Sequence, residues 1–192
     1  MSRGAELARW LAKVTKVAEE EVMHLRPMQR ALSMVSRTIP VKVGNEMRAA
    51  VLRLQGIEVG QGTLVYGTPE LSSAEATHAP MAIGRECIID IGCLFELGES
   101  IVIGDRVTIG NNVMMITTTH ELGPKEHRAG PATRSPVRVE DGAWIGPRSV
   151  ILPGVTIGAG AIVDAGTVVN KNVAPSTRVS GTPARLVEQL DP

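Results

Sequence analysis

The stretch "IVIGDRVTIGNNVMMITTTH", Ile101 to His120, decides the fold. Read in steps of six, Ile103, Ile109 and Met115 fall on one count, and Gly104 and Gly110 each follow one residue later. A helix repeats its apolar positions every three or four residues and an ordinary half-buried strand every two. A step of six, with Gly, Asp and Asn between, describes very short strands joined by bends. The rhythm then stops at "TTTH".

Backward from this stretch the same count reaches Leu97 and Ile91, followed by Gly98 and Gly92. Beyond the break it resumes at "VRVEDGAWIG" and runs through Val139, Ile145, Ile151, Ile157, Val163 and Val169. All eleven positions on the count are aliphatic, which predicts a β-solenoid rather than a helix bundle. Three sides of six residues would make a coil of about 18, so residues 18 apart are expected to stack. Burying one such side chain stabilises by about 1.5–3 kcal/mol relative to exposure.

Composition agrees with a narrow, repetitive core. Of 192 residues 43% are hydrophobic but only 2% aromatic, so Val, Ile, Leu, Met and Ala must fill the interior. Lys and Arg total 20 and balance 20 Asp and Glu, so there is no general basic field for nucleic acid. Cys87 and Cys93 form neither a CxxC pair nor a zinc-spaced set, which fits a reducing setting without a disulfide framework. No stretch approaches the apolar length of a membrane span, so a soluble, cytoplasmic protein without a membrane span is expected.

Residues 1–60 read differently, as a helical arm. Leu7, Trp10, Leu11, Val14, Val17, Ala18, Val22 and Leu25 recur at three- and four-residue steps, with Ser2 able to cap the start and Pro27 beyond the end. Shorter helical patterns follow in "PMQRALSMVSRT" and in "NEMRAAVLRLQG", with Asn45 a candidate N-cap and Gly56 a candidate stop. The organisation expected is an arm over 1–60, a solenoid domain over 61–188 with a loop at 116–138, and a tail at 189–192.

The stretches "IGRECIIDIG", "IVIGDRVTIGNNVMMITTTH" and "GAWIGPRSVILPGVTIGAGAIVDAGTVVNKNVAPSTRVSGTPARLV" resemble the hexapeptide-repeat acyltransferases. The similarity is to the maltose, galactoside and polysaccharide O-acetyltransferase branch and covers roughly residues 81–188. It implies an all-β solenoid in the form of a left-handed parallel β-helix, a handedness that the usual right-handed crossover rule would not predict. It also implies acetyl-CoA as co-substrate, a sugar or saccharide-bearing acceptor, no metal, and a homotrimer with active sites between subunits.

The break from Ile116 to Arg138 is long for a loop without structure of its own, and long loops in compact domains are often functional. It lets His120 be held by a rigid coil and yet project from it. The resemblance makes His120 the general base. A hydroxyl needs its proton removed as it attacks a thioester, and imidazole, with an ordinary pKa of about 6.5, can accept one at neutral pH. Donors near the base are expected to stabilise the developing oxyanion.

Asp90 in "CIIDIG" falls where these O-acetyltransferases usually carry Asn at the acceptor pocket. A carboxylate only accepts hydrogen bonds, so Asp90 either binds sugar hydroxyls, orients a group, favours an amino-bearing acceptor, or is a solvated turn residue. Glu121 either orients His120 or is solvated, and His127 is read with the same reserve. The resemblance places the coenzyme groove at "DGAWIG", "VDAGTVVNK" and "GTPAR". It assigns Gly142 and Ala165 to the pantetheine arm, Trp144 to the coenzyme groove, and Asn170, Lys171 and Arg185 to the nucleotide end, where cations suit phosphates.

Three other readings compete with O-acetyl transfer. An N-acyltransferase of a nucleotide-linked amino sugar is kept open by Asp90. A zinc carbonic anhydrase needs three metal histidines, for which only His78, His120 and His127 are candidates at unfamiliar spacing. A non-catalytic scaffold would leave the base-bearing loop without purpose. A thioester on Cys87 or Cys93 is disfavoured, because they lie six residues apart with no adjoining histidine.

Overall fold

The computed structural model describes residues 27–40, 43–73 and 79–191. The helix expected over Leu7–Leu25, and His78, lie outside these residues. The rest is a three-sided prism of short parallel strands closed at one end by two helices.

The first side stacks β1 (Glu58–Val59), β4 (Met81–Ile83), β7 (Ile101–Ile103), β12 (Val137–Val139) and β15 (Thr156–Ile157). The second stacks β2 (Leu64–Val65), β5 (Ile88–Ile89), β8 (Thr108–Ile109), β13 (Trp144–Ile145), β16 (Ile162–Val163) and β18 (Thr177–Ser180). An antiparallel β19 (Arg185–Gln189) is added at its edge. The third stacks β3 (Glu70–Ser72), β6 (Leu94–Glu96), β9 (Met114–Met115), β14 (Val150–Ile151) and β17 (Val168–Val169).

Inside each coil the step of six is kept. Ile83, Ile89 and Phe95 point inward, then Ile103, Ile109 and Met115, then Val139, Ile145 and Ile151, then Ile157, Val163 and Val169, all within 3% of full burial. Between coils it is not kept. On the first side Val59 pairs with Ile83, Ile83 with Ile103, Ile103 with Val139 and Val139 with Ile157, steps of 24, 20, 36 and 18. The expected 18-residue stacking therefore holds only for the last of these pairs.

The excess always falls at the third corner, where the chain leaves the third side to begin the next coil. Coil two carries two surplus residues there, and coil three carries the long break. An unbroken count of six carried back through those two surplus residues puts Ile91 on the inward register. The structure puts it outside, 36% exposed, at the corner between the second and third sides. The other ten residues on that count are buried.

The corners explain the glycines. A Cβ on Gly104 would run into the Asp141 carboxylate, which accepts a 2.9 Å bond from the Asp105 backbone N–H, and so locks one coil to the next. Asp105 does the same for Arg85 N–H at 2.8 Å.

The helices are α1 (Pro27–Thr38) and α2 (Asn45–Leu54). Helix α2 buries Ala49 and Leu52 over the open end of the prism. It ends as expected at Gly56, whose φ of 89° allows Gly56 N–H to reach Arg53 O and Ile57 N–H to reach Leu52 O, both at 3.0 Å. It does not begin as expected. Gly44, at φ 70°, occupies the N-cap, and Asn45 is the first helical residue with no side-chain cap bond. Arg48, 2% exposed, donates to the carbonyls of Ile39, Pro40 and Val43 at 2.6–2.8 Å and so ties the end of α1 to α2.

Candidate active site

The break in the repeat is not an unstructured loop. It is an antiparallel hairpin of β10 (Thr118–Leu122) and β11 (Ala129–Arg134), projecting from the third corner between coils three and four. Thr118, Thr119 and His120 face Arg134, Thr133 and Ala132, but Leu122 faces Ala129, so β11 carries one residue more than β10 over this interval. That bulge, at Gly130–Pro131, turns the Gly130 carbonyl toward the imidazole. His120 Nδ1 lies 2.7 Å from Gly130 O.

A carbonyl oxygen can only accept, so Nδ1 carries the hydrogen and the neutral ring keeps a lone pair on Nε2. The side chain is exposed. The hairpin leaves no room for side chains at its two glycines. A Cβ on Gly130 would lie 2.9 Å from Glu121 O, and one on Gly123 would meet His127 O.

The root of the hairpin is held from the coil above by Glu96, a residue that the repeat pattern does not single out. Its Oε2 accepts from Thr117 N–H at 2.7 Å and from Thr118 N–H and Thr117 Oγ1 at 2.8 Å. Its Oε1 accepts from Thr118 Oγ1 at 2.7 Å and Gly98 N–H at 3.1 Å. Partial burial alone would push this carboxyl up, but the hydrogen bonds from Thr118 and Thr117 outweigh it and hold the pKa below the ordinary carboxylate value. No signal in "LFELGES" marks it, because its partners at 98, 117 and 118 do not fall on the six-residue count.

Asp90 lies at the second corner of coil two, where its Oδ1 accepts from Ile91 N–H at 2.8 Å. His120 hangs from the third corner, so a single chain leaves the two at different edges of the prism. Glu121 is exposed on the hairpin. His127 is at its tip, in a turn closed by His127 N–H to Pro124 O at 3.0 Å.

The residues assigned to the coenzyme are spread over several edges. Gly142, at φ 70°, is at the first corner of coil four, and Trp144, 51% exposed, looks outward from the second side. Ala165 and the Asn170–Lys171 pair flank β17 on the third side of coil five, all exposed. Arg185 begins β19, opposite Ser180.

Cys87 and Cys93 are buried in the wall and donate toward backbone carbonyls, Cys87 to Gly104 O at 3.0 Å. Burial pushes the Cys93 thiol up to about 12, which makes it a poor nucleophile. Among the described residues no three His, Cys, Asp or Glu side chains are grouped to hold a metal ion. None of the described helices is long and apolar enough to cross a membrane.

Comparison with known proteins adds to this geometry. Residues 136–171 match the family model described as bacterial transferase hexapeptide (six repeats). A hexapeptide-repeat-containing acetyltransferase of Vibrio cholerae O1 biovar eltor, crystallised in complex with acetyl coenzyme A, superposes with a TM-score of 0.72 at 30% identity, over 91% of each chain. A maltose O-acetyltransferase from Clostridium difficile 630 gives a TM-score of 0.59 at 25% identity, again over 91% of each chain. The chain belongs to the hexapeptide-repeat acyltransferase family, and its prism is a left-handed parallel β-helix. Among curated proteins, one of Schizosaccharomyces pombe, provisionally named an acetyltransferase, is 39% identical over 80 residues. That match is 42% of this chain and only 39% of the length of the relative.

Proposed function

We propose that the protein transfers an acetyl group from acetyl-CoA to a hydroxyl of a sugar or saccharide-bearing acceptor, with His120 as the general base. The observation that carries the proposal is the Nδ1 contact to Gly130 O, which leaves Nε2 free on an exposed, rigidly rooted ring. In that role Nε2 takes the acceptor's proton as its oxygen attacks the thioester carbonyl, and the Gly130 carbonyl stabilises the imidazolium that results. Acetyl-CoA supplies the activated acyl group. Lys171 and Arg185 would neutralise its phosphates, and Ala165 would leave space for its arm against the wall.

The active unit in this reading is a homotrimer. Leu94, Met114, Val150 and Val168 line the outside of the third side beside Glu70, and Leu64, Ile88, Trp144 and Ile162 that of the second beside Thr108 and Arg178, so two adjacent outer faces carry apolar surface. A head-to-tail ring would cover both and bring the His120 edge of one subunit to the Asp90 edge of another. A second reading, N-acylation of an amino sugar, is favoured by Asp90, whose carboxylate could hold an amino-bearing acceptor.

A screen of hydroxyl and amine acceptors with acetyl-CoA, reading release of free thiol, separates the two. His120→Ala is expected to lose about 10²–10⁴ in kcat with acetyl-CoA affinity nearly unchanged. Turnover within threefold of wild type would remove His120 from the mechanism.

A further inference from the structure

We propose that Glu96 is a positioning residue for His120, clamping the root of the hairpin so that the imidazole is held at one height and facing. This rests on the reading of His120 as the base. The coil itself does not require a carboxylate there. In the two following coils the equivalent outward position, just after the inward residue of the third side, is Ile116 and then Leu152.

At Glu96 two of the irregularities of the third corner meet, those of coils two and three. The two surplus residues of coil two bring Gly98 N–H onto Oε1, and the first hairpin residues of coil three bring four donors from Thr117 and Thr118 onto the two oxygens. Glu99 N–H closes the ring on Thr117 Oγ1 at 3.0 Å, and Ser135 N–H returns the far strand to Thr117 O at 2.9 Å. Thr117 is fully buried, so its N–H has no water to turn to if the carboxylate is removed.

The clamp reaches His120 through strand geometry. Side chains two apart in a strand share a face, and the ladder is regular from Thr118 to His120, so the hydroxyl fixed by Oε1 and the imidazole stand on the same face of β10. An ionised carboxylate accepts only, so the Thr118 hydroxyl donates to Oε1, while the Thr117 hydroxyl has Oε2 and the Glu96 main-chain carbonyl both at 2.8 Å. Gly98 belongs to the same device. A Cβ there would lie 2.7 Å from Glu96 Oε1 and would also strike Thr118 Oγ1.

The test compares the full-length protein with Glu96→Ala, Glu96→Gln and His120→Ala, measuring kcat, the KM for acetyl-CoA and amide hydrogen exchange. A shift of about 1 Å at a reacting group costs about a hundredfold, so Glu96→Ala should lose roughly 10–100-fold in kcat with KM for acetyl-CoA within about twofold. Exchange should quicken by about tenfold or more in 117–122 and 129–134 but not in the coil strands. Glu96→Gln, which keeps one oxygen for three of the donors, should recover kcat to within about fivefold of wild type.

If Glu96→Ala fails to fold, Gly98→Ala carries the same test. Full turnover in Glu96→Ala beside an inactive His120→Ala overturns the positioning role and leaves the base assignment standing. An active His120→Ala overturns the base and the positioner together. Unchanged hairpin exchange in Glu96→Ala overturns the clamp whatever His120 does, and so does quickened exchange throughout the coils.

Discussion

Replacing Ile89 and Ile91 by alanine, one at a time, tests the register of the coils directly. Ile89 is fully buried and lies between Val65 in the coil above and Ile109 in the coil below. Alanine deletes three carbons, a transfer loss of about 2.4 kcal/mol at about 0.8 kcal/mol per methylene. The walls cannot close on the space. Ile88 N–H is bonded to Val107 O, Asp90 N–H to Ile109 O and Tyr66 N–H to Ile89 O, each at 2.9 Å, so the backbone on both sides is fixed. A residual cavity keeps the cost in the upper part of the 2–5 kcal/mol range, about 3–5 kcal/mol. For a chain of this size each kcal/mol moves Tm by about 2–4 °C, so a fall of about 10 °C is expected. Ile91, 36% exposed at its corner, should cost under about 1 kcal/mol and about 2 °C. Thermal unfolding followed by far-UV circular dichroism over a range of protein concentrations, which separates the loss of association at the Asp90 edge from loss within the chain, measures both. Equal losses for the two variants, or the larger loss at Ile91, would refute the coil register.

Three further outcomes are expected. Lys171→Ala with Arg185→Ala should raise the KM for acetyl-CoA more than that for the acceptor, and more at low ionic strength, whereas equal effects would move both residues away from the phosphates. Glu96 has a depressed pKa in the folded state, so its contribution to hairpin stability is complete above the ordinary carboxylate value and is lost as pH falls through the lower folded one. Proteolytic nicking at 123–128 should therefore stay constant down to the ordinary carboxylate range and rise only below it, and nicking that rises already near neutrality would count against the clamp. Inactive His120→Ala and inactive Asp90→Ala chains, unfolded and refolded together in equal amounts, should recover about a quarter of wild-type activity if each site draws its two halves from neighbouring subunits. No recovery in verified mixed trimers would sink the shared site.

The short strands and their inward residues were legible because the six-residue step is enforced inside every coil by the prism cross-section. What the count could not see was where coils gain residues. Nothing in "LFELGES" marks Gly98 and Glu99 as surplus, since Leu97 is itself apolar and buried and so satisfies the wrong register as well as the right one. The interruption at "TTTHEL" marked His120, but not the hairpin, because "AGPATR" carries little strand propensity and its pairing is imposed by the corner to which both ends return. Glu96 was invisible for a related reason. Its five hydrogen bonds go to residues 98, 117 and 118, and contacts across a coil have no period.

Because every change of length is confined to one edge, the molecule has a single seam along which chain can be added without disturbing anything else. A residue gained between Val139 and Ile145 would shift the remainder of that coil by one and turn buried side chains outward. The hairpin adds eighteen beyond the ordinary step between Met115 and Val139, and yet Ile103 still meets Val139 and Met115 still meets Ile151. Closing a loop twice as long costs only about 0.6 kcal/mol. Exchanging the far end of the hairpin, between Leu122 and Ala129, for a segment of another length is therefore thermodynamically cheap, and the surface around the imidazole can diversify while the clamped root and the wall that carries it stay the same.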